Sequence, residues 1–276
     1  MTGAAGRGAF RSVKQADRIL SLAAGVLPEH DGLAVARAAA EAGYTHFGVT
    51  VGETWSDADT RAVRALMRSH GLECLDAEVI WLGAGAEVTE QHQRIVAVAA
   101  ELGAANVLVV SDEADTGRTA QALHRLCEVA APAGLRVCLE FLRITAISRP
   151  SQALAAVRQA GHPAVGLLVD SLHLARSGEP AAVLEGHADL LPYLQLCDAP
   201  RDFRDDAAGL LEDALVRRSA PGEGELPLLD TLRLSPGVPL SLEVRSRAYR
   251  ERYPDPAERA AAIRRQTLRF LEQLDG

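Results

Sequence analysis

The stretch Arg136-Val-Cys-Leu-Glu-Phe-Leu142 decides the reading of this chain. It is a short β-branched and apolar run that begins just after Gly134 and delivers a carboxylate, Glu140, where a buried strand should end. Three later runs repeat the pattern. Ala164-Val-Gly-Leu-Leu-Val-Asp170 ends on Asp170, Leu191-Pro-Tyr-Leu-Gln-Leu-Cys-Asp198 carries Gln195 near its end, and Pro239-Leu-Ser-Leu-Glu-Val244 carries Glu243. Unpaired oxygen-bearing side chains are costly to bury, so a divalent cation held among these four is the simplest compensation. Three carboxylates and one amide oxygen form a hard, oxygen-rich set suited to one Mg2+, Mn2+ or Co2+ ion and poorly suited to structural zinc.

Outward from these runs the chain alternates. Residues 19–25, 44–51, 72–82 and 106–110 are strand-like, and helical patterns fall over 32–42, 56–69, 87–102, 116–132, 150–160, 179–187 and 256–273. An insertion over 199–237 carries an acidic helix near 205–216 and the turn Pro221-Gly-Glu-Gly-Glu-Leu-Pro227, whose acids and missing Lys exclude a phosphate cradle. Eight strands interleaved with helices, and no linker rich in Pro, Gly or Ser, indicate a single (β/α)8 barrel over residues 18–276, preceded by a polar, mobile segment 1–17. A doubly wound dinucleotide fold needs a GxGxxG turn after the first strand, but Gly25 is followed by Val26-Leu-Pro-Glu. In a barrel the active site lies at the C-terminal strand ends, which is where Glu140, Asp170, Gln195 and Glu243 fall.

Composition supports one large core. The 276 residues match a barrel of about 250. With hydrophobic residues at 48% and aromatics at 4%, that core is built of Ala, Leu and Val. A formal net charge of -8 argues against a nucleic-acid surface and for a small-molecule partner. Cys74, Cys127, Cys138 and Cys197 form no metal-type spacing and read as buried thiols. Without an apolar leader or a run of 18 uncharged apolar residues, the expectation is a cytoplasmic protein that does not enter a membrane.

Around the four oxygens stand further candidates. His173 follows Asp170 by three residues, so a helical turn after the strand would bring both to one face, with a substrate contact or a proton carrier as the functional reading and a packing histidine as the plain one. Arg176, Arg201 and Arg245 are the basic residues placed to reach a substrate, although Arg245, two residues past Glu243, could equally form an ion pair across the rim. Trp55 is a candidate wall or lid, and Glu78 a partner of a site residue. His30, His46 and Glu53 also fall near early strand ends, where packing or surface roles are the plainer reading. His70, His92, His124, His162 and His187 are expected to face solvent.

At these residues the chain resembles the xylose-isomerase-like TIM barrels, which include sugar phosphate isomerases and epimerases. The resemblance runs from about residue 19 to 273 and is carried by Leu-Glu140-Phe, Val-Asp170-Ser-Leu-His173, Gln195-Leu-Cys-Asp198-Ala-Pro200, Pro-Gly-Glu-Gly224 and Leu-Glu243-Val. It implies that Glu140, Asp170, Gln195 and Glu243 hold one divalent metal and that His173 touches substrate. Ketose 3-epimerases have His where this chain has Gln195, and a Glu where it has Ala146, while Arg201 matches their substrate-binding Arg. The Gln195 motif is more similar to bacterial 3-dehydroshikimate dehydratases, which also keep a basic residue at the position of Arg176. The three-metal endonuclease IV branch is excluded by Gln195 and by the negative charge. Barrels of this group often form homo-oligomers, but no residue here marks an interface.

The expected chemistry is abstraction of a proton beside a carbonyl in a small polyhydroxylated substrate, through a metal-stabilised enediolate. Glu140 and Glu243 are the candidate acid/base pair and His173 the proton shuttle. Reprotonation makes an isomerase or epimerase, and loss of a β-hydroxyl makes a dehydratase. An accessory, non-catalytic metal-binding barrel is the third possibility.

Overall fold

The structure is a computed structural model, and it describes residues 14–275. Its eight strands are all parallel and close in sequence order into one barrel. They are β1 (Leu20–Leu22), β2 (His46–Thr50), β3 (Glu73–Leu82), β4 (Asn106–Ser111), β5 (Arg136–Glu140), β6 (Val165–Asp170), β7 (Leu194–Leu196) and β8 (Leu240–Leu242). Closure comes from β8 lying beside β1, with Leu20, Ser21 and Leu22 level with Leu240, Ser241 and Leu242. The ring of helices comprises α1 (Gly32–Glu41), α2 (Asp57–His70), α3 (Glu90–Leu102), α4 (Thr116–Ala130), α5 (Pro150–Ala160), α6 (Ser171–Arg176), α7 (Ala207–Val216), α8 (Leu228–Leu234), α9 (Arg247–Arg252) and α10 (Pro256–Asp275).

Helix starts follow local chemistry. Ser56 and Asp59 form a reciprocal capping box at α2, Thr89 and His92 do so at α3, and Asp31, Asp115 and Asp206 cap α1, α4 and α7. The strands divide the core by alternation. Val107 and Val109, Val137 and Leu139, and Leu167 and Val169 pack outward against the helices, whereas Leu108, Val110, Cys138, Leu168 and Tyr193 form a smaller cluster on the other strand faces, in the bore. Because Glu140 shares the face of Cys138, and Asp170 that of Leu168, both carboxylates point into the bore at its C-terminal mouth.

Three expectations need correction. Residues 179–187 are not one helix but a 3-10 turn over Ala181–Leu184, broken by Gly186 at φ +81, and a second turn over Ala188–Leu190. His92 is buried, because its Nδ1 accepts the Thr89 N–H within the capping box at 3.3 Å. His46 opens β2 and so stands at the end of the barrel away from the mouth. Of the segment 1–17, residues 1–13 lie outside the described residues, while Gln15–Asp17 form a 3-10 turn whose Gln15 N–H donates to Asp275 Oδ1 at 2.8 Å. No described helix is long and apolar enough to cross a membrane. All four cysteines are buried and free.

Candidate active site

Glu140 closes β5, Asp170 closes β6, Gln195 lies in β7, and Glu243 follows β8, so four neighbouring strands bring them to one mouth. None is more than 5% exposed, which makes every charge here expensive unless compensated. Gln195 lies between two of its neighbours: with its amide turned so that the nitrogen faces them, it donates to Glu140 Oε1 and Glu243 Oε2, each at 3.2 Å. Turned the other way the amide presents its oxygen, and with the three carboxylates it makes a donor set that fits a hard divalent ion. Glu140, Asp170 and His173 also present ligand atoms within 4.8 Å of one another. His173 reaches that group because Asp170 caps α6: Oδ1 accepts the N–H groups of Leu172 at 2.7 Å and His173 at 3.1 Å, which turns the chain directly from strand into helix.

Beside Asp170, Glu243 and His173 stands a basic residue that the sequence did not reveal. Arg218 Nη1 donates to Asp170 Oδ2 at 2.6 Å and stands 3.0 Å from Glu243 Oε2, while Nη2 lies 3.3 Å from His173 Nε2. Its Nε donates to the Ala214 carbonyl, so α7 and the ring are linked through one side chain. Arg201 follows Gln195 closely in sequence, but it leaves with the insertion, and the chain returns to the mouth only where Ser219 pairs with Asp198 and Arg217 with Ser246. The available signal was the pair Arg217-Arg218 placed directly ahead of the Pro-Gly-Glu-Gly turn.

Burial, and then the charges of Glu243 and Asp170, push Glu140 well above the usual carboxylate range. Glu243 is raised by burial, with Arg218 and Arg245 opposing. Burial acts in the same direction on Asp170, but Arg218 and His173 outweigh it and hold that carboxyl below its ordinary value. Burial brings His173 down to about 4, against the pull of Asp170, so the imidazole is neutral at neutral pH. Titratable groups pushed apart in this way within one cleft are a mark of acid–base sites.

The expected substrate residues separate in the structure. Arg245 donates from Nε to Glu243 Oε1 at 3.0 Å, lies 3.7 Å from Glu78 Oε1, and remains a quarter exposed. It therefore forms the rim ion pair and also lines a cavity of about 650 Å³ with Thr50, Trp55, Glu78 and His30. That cavity meets the ring through Arg245 and Glu78 and is of small-molecule size. Trp55 is one wall, its Nε1 donating to Thr60 Oγ1 at 2.8 Å. Arg176 is buried in an ion pair with Asp213 at 2.8 Å, donates to the Pro200 carbonyl and stacks on Phe203, so it fastens the insertion to α6. Arg201 is exposed; its backbone N–H meets Glu225 Oε2, and no described ion pair joins its guanidinium to the ring.

Asp198 organises the loop that carries Arg218. Its Oδ1 accepts the N–H groups of Ala199 and Leu226, each at 2.9 Å, and its Oδ2 that of Gly222 at 3.0 Å. The turn comes so close that a Cβ on Gly224 would stand 2.5 Å from the Ala199 carbonyl oxygen and 2.5 Å from Asp198 Oδ1. Gly224→Ala is therefore expected to destabilise by about 1–3 kcal/mol, the range for overpacking. A denaturant midpoint equal to that of the native protein would contradict this.

Comparison with known proteins agrees with this architecture. Residues 36–274 match the family model described as xylose isomerase-like TIM barrel. A 3-dehydroshikimate dehydratase of Pseudomonas putida (strain KT2440) is 34% identical over 184 residues, covering 63% of this chain and 28% of that protein, so the match spans less than a third of the relative's length. A solved fusion of a xylose isomerase-like barrel with 4-hydroxyphenylpyruvate dioxygenase has a TM-score of 0.72 at 26% identity, covering 94% of this chain and 44% of that one. The IolI protein, solved with a bound zinc atom, has a TM-score of 0.77 at 17% identity and covers 92% of this chain and 98% of its own, a likeness of fold.

Proposed function

Since the chain belongs to the xylose isomerase-like TIM barrel family, we propose that its mouth is a divalent-metal site serving the dehydration of a small cyclic hydroxyketone of the 3-dehydroshikimate type. The sequence reading put an isomerase or epimerase first and the dehydratase second. The observation that moves the dehydratase forward is Gln195 within the ring, together with the 34% identity to a dehydratase. Glu140, Asp170, Gln195 and Glu243 would hold the metal, with His173 beside them. A divalent cation bound there supplies positive charge that stabilises the oxyanion developing at a substrate carbonyl.

The chain's own residues supply the remainder. His173, neutral at neutral pH, can accept the proton from the carbon beside the carbonyl, and Asp170 orients it through the α6 cap. The protonated His173 can then give that proton to the departing hydroxyl on the neighbouring carbon, so that the hydroxyl leaves as water. Arg245 and Trp55 bound the cavity in which a ring with a carboxylate would lie, one offering charge and the other an apolar face. Loss of one water suffices, because a ring of the 3-dehydroshikimate type already carries one C=C beside its carbonyl, and the dienone left by elimination becomes aromatic by a proton shift alone.

The direct test incubates the Mg2+- or Mn2+-supplemented protein with 3-dehydroshikimate and follows aromatic absorbance. Growth of that absorbance is expected, and it should fall by about 10²–10⁴-fold in His173→Ala, the usual range for loss of an acid–base group. The isomerase or epimerase reading predicts a different result: deuterium entering a hydroxyketone from D2O with no loss of water.

A further inference from the structure

Below the mouth, the bore holds polar groups that the site does not use. Asp76 of β3 is 1% exposed, and neither of its carboxyl oxygens has a hydrogen-bond partner among the described residues. The same is true of the Tyr193 hydroxyl and the hydroxyls of Ser21 and Ser241, all fully buried. Strand alternation places them together. Asp76 is two residues before Glu78, Tyr193 two before Gln195, and Ser241 two before Glu243, while Ser21 is level with Ser241 on the neighbouring strand. Each therefore faces the bore one layer beneath a residue of the mouth, a step of roughly 7 Å. Gly48 of β2 makes room for the Asp76 carboxyl itself, since a Cβ there would stand 2.7 Å from Asp76 Oδ1.

No described Arg or His pairs with Asp76. The titratable groups that act on it or feel it are Glu78 and Cys74 on its own strand, Glu243, Tyr193 and Cys138, all of them acids. A carboxylate in that company would be an isolated buried anion, whereas an undissociated acid is a donor and an acceptor that water can satisfy. Five buried oxygens without a partner among the described residues, on the bore faces of their strands, call for a common partner.

We propose that the bore is a hydration site, in which ordered water bonds to Tyr193, Ser21 and Ser241 and to Asp76 held as an undissociated acid, forming a proton-holding layer beneath Glu78 and Glu243. This stands whether or not the mouth performs dehydration. Burial, and then the charges of Glu78 and Glu243, raise Asp76 well above the usual carboxylate range. The sign of the stability effect follows. The unfolded chain loses this proton near pH 4 and the folded chain keeps it, so wild-type stability falls as pH rises above about 4. An uncharged isostere carries no such penalty.

Asp76→Asn is therefore expected to melt at least about 3 °C above the wild type at pH 7, with the gain shrinking towards zero near pH 4. Infrared spectra of the wild type at pH 7 should contain the C=O stretch of an undissociated carboxylic acid that is missing from Asp76→Asn, and transfer to D2O should shift that band. Asp76→Leu, which fills similar space but offers water no partner, should melt below Asp76→Asn. An Asn variant that is less stable than wild type at pH 7, or a wild type without the acid band, would mean an ionised Asp76 held by a cation and overturns the proposal. A Leu variant as stable as the Asn variant means a dry bore, which also overturns it. If the Leu variant does not fold, the response of the acid band to D2O decides the point: a band that does not shift is inaccessible to water.

Discussion

Replacing Arg218 with methionine is expected to destabilise the protein, measured with a metal chelator present, by on the order of 3–5 kcal/mol, the cost of removing one partner from a buried ion pair. The guanidinium is 2% exposed at the side chain and bridges two carboxylates that are nearly as buried, so the variant leaves Asp170 and Glu243 in an apolar setting with Arg245 as the remaining neighbouring cation. The loss should depend on pH. Arg218 holds Asp170 below its ordinary value, so the stabilisation is complete above the unfolded carboxyl value of about 3.9 and disappears as pH falls through the folded one. Urea unfolding at pH 7 and at pH 3 measures both: the deficit should be large at the first and smaller at the second. A deficit that is the same at both values would show that Arg218 acts through packing and through its bond to the Ala214 carbonyl.

If the proposed function holds, Glu243→Ala is expected to abolish divalent-metal binding and to lower dehydration by on the order of 10³-fold or more, because one carboxylate of a four-oxygen set is lost together with the anchor of Arg245. Metal analysis of purified protein should give about one ion per chain in the native form and little in the variant. The two measurements separate the two ideas. Metal retained with activity lost would make Glu243 a catalytic group outside the coordination set. No metal in the native protein, after Mg2+, Mn2+ or Co2+ has been supplied, would sink the metal site and leave the barrel alone.

The mouth was legible because each of its four side chains lies at or next to the end of a mainly apolar strand, and a parallel barrel brings successive strand ends to the same face. Glu140, Asp170, Gln195 and Glu243 are therefore together for a reason that periodicity and strand order express. His173 was legible for a local reason, since a turn of helix begins at Asp170. The arginines were not. Arg176 has the spacing of a substrate residue, yet its guanidinium is engaged with Asp213, 37 residues further on. Arg218 sits 48 residues from Asp170, at the end of an insertion whose path no repeat describes.

Asp76 shows the same division inside one strand. In sequence it is an acid in an apolar run, readable as a surface residue on an alternating strand. Only the register shift between Phe47 and Gly48, and the missing side chain of Gly48, place it in the bore.

By itself, then, the sequence determined the number and order of strands, their parallel closure and the four oxygens at their ends, because these follow from hydrophobic periodicity and from short-range capping. The tertiary structure alone decided which cation meets those oxygens from within the chain, which arginine faces the cavity and which acid lies beneath the mouth. Those outcomes depend on where long side chains from distant segments find an unoccupied partner, and such pairings leave no period in the sequence.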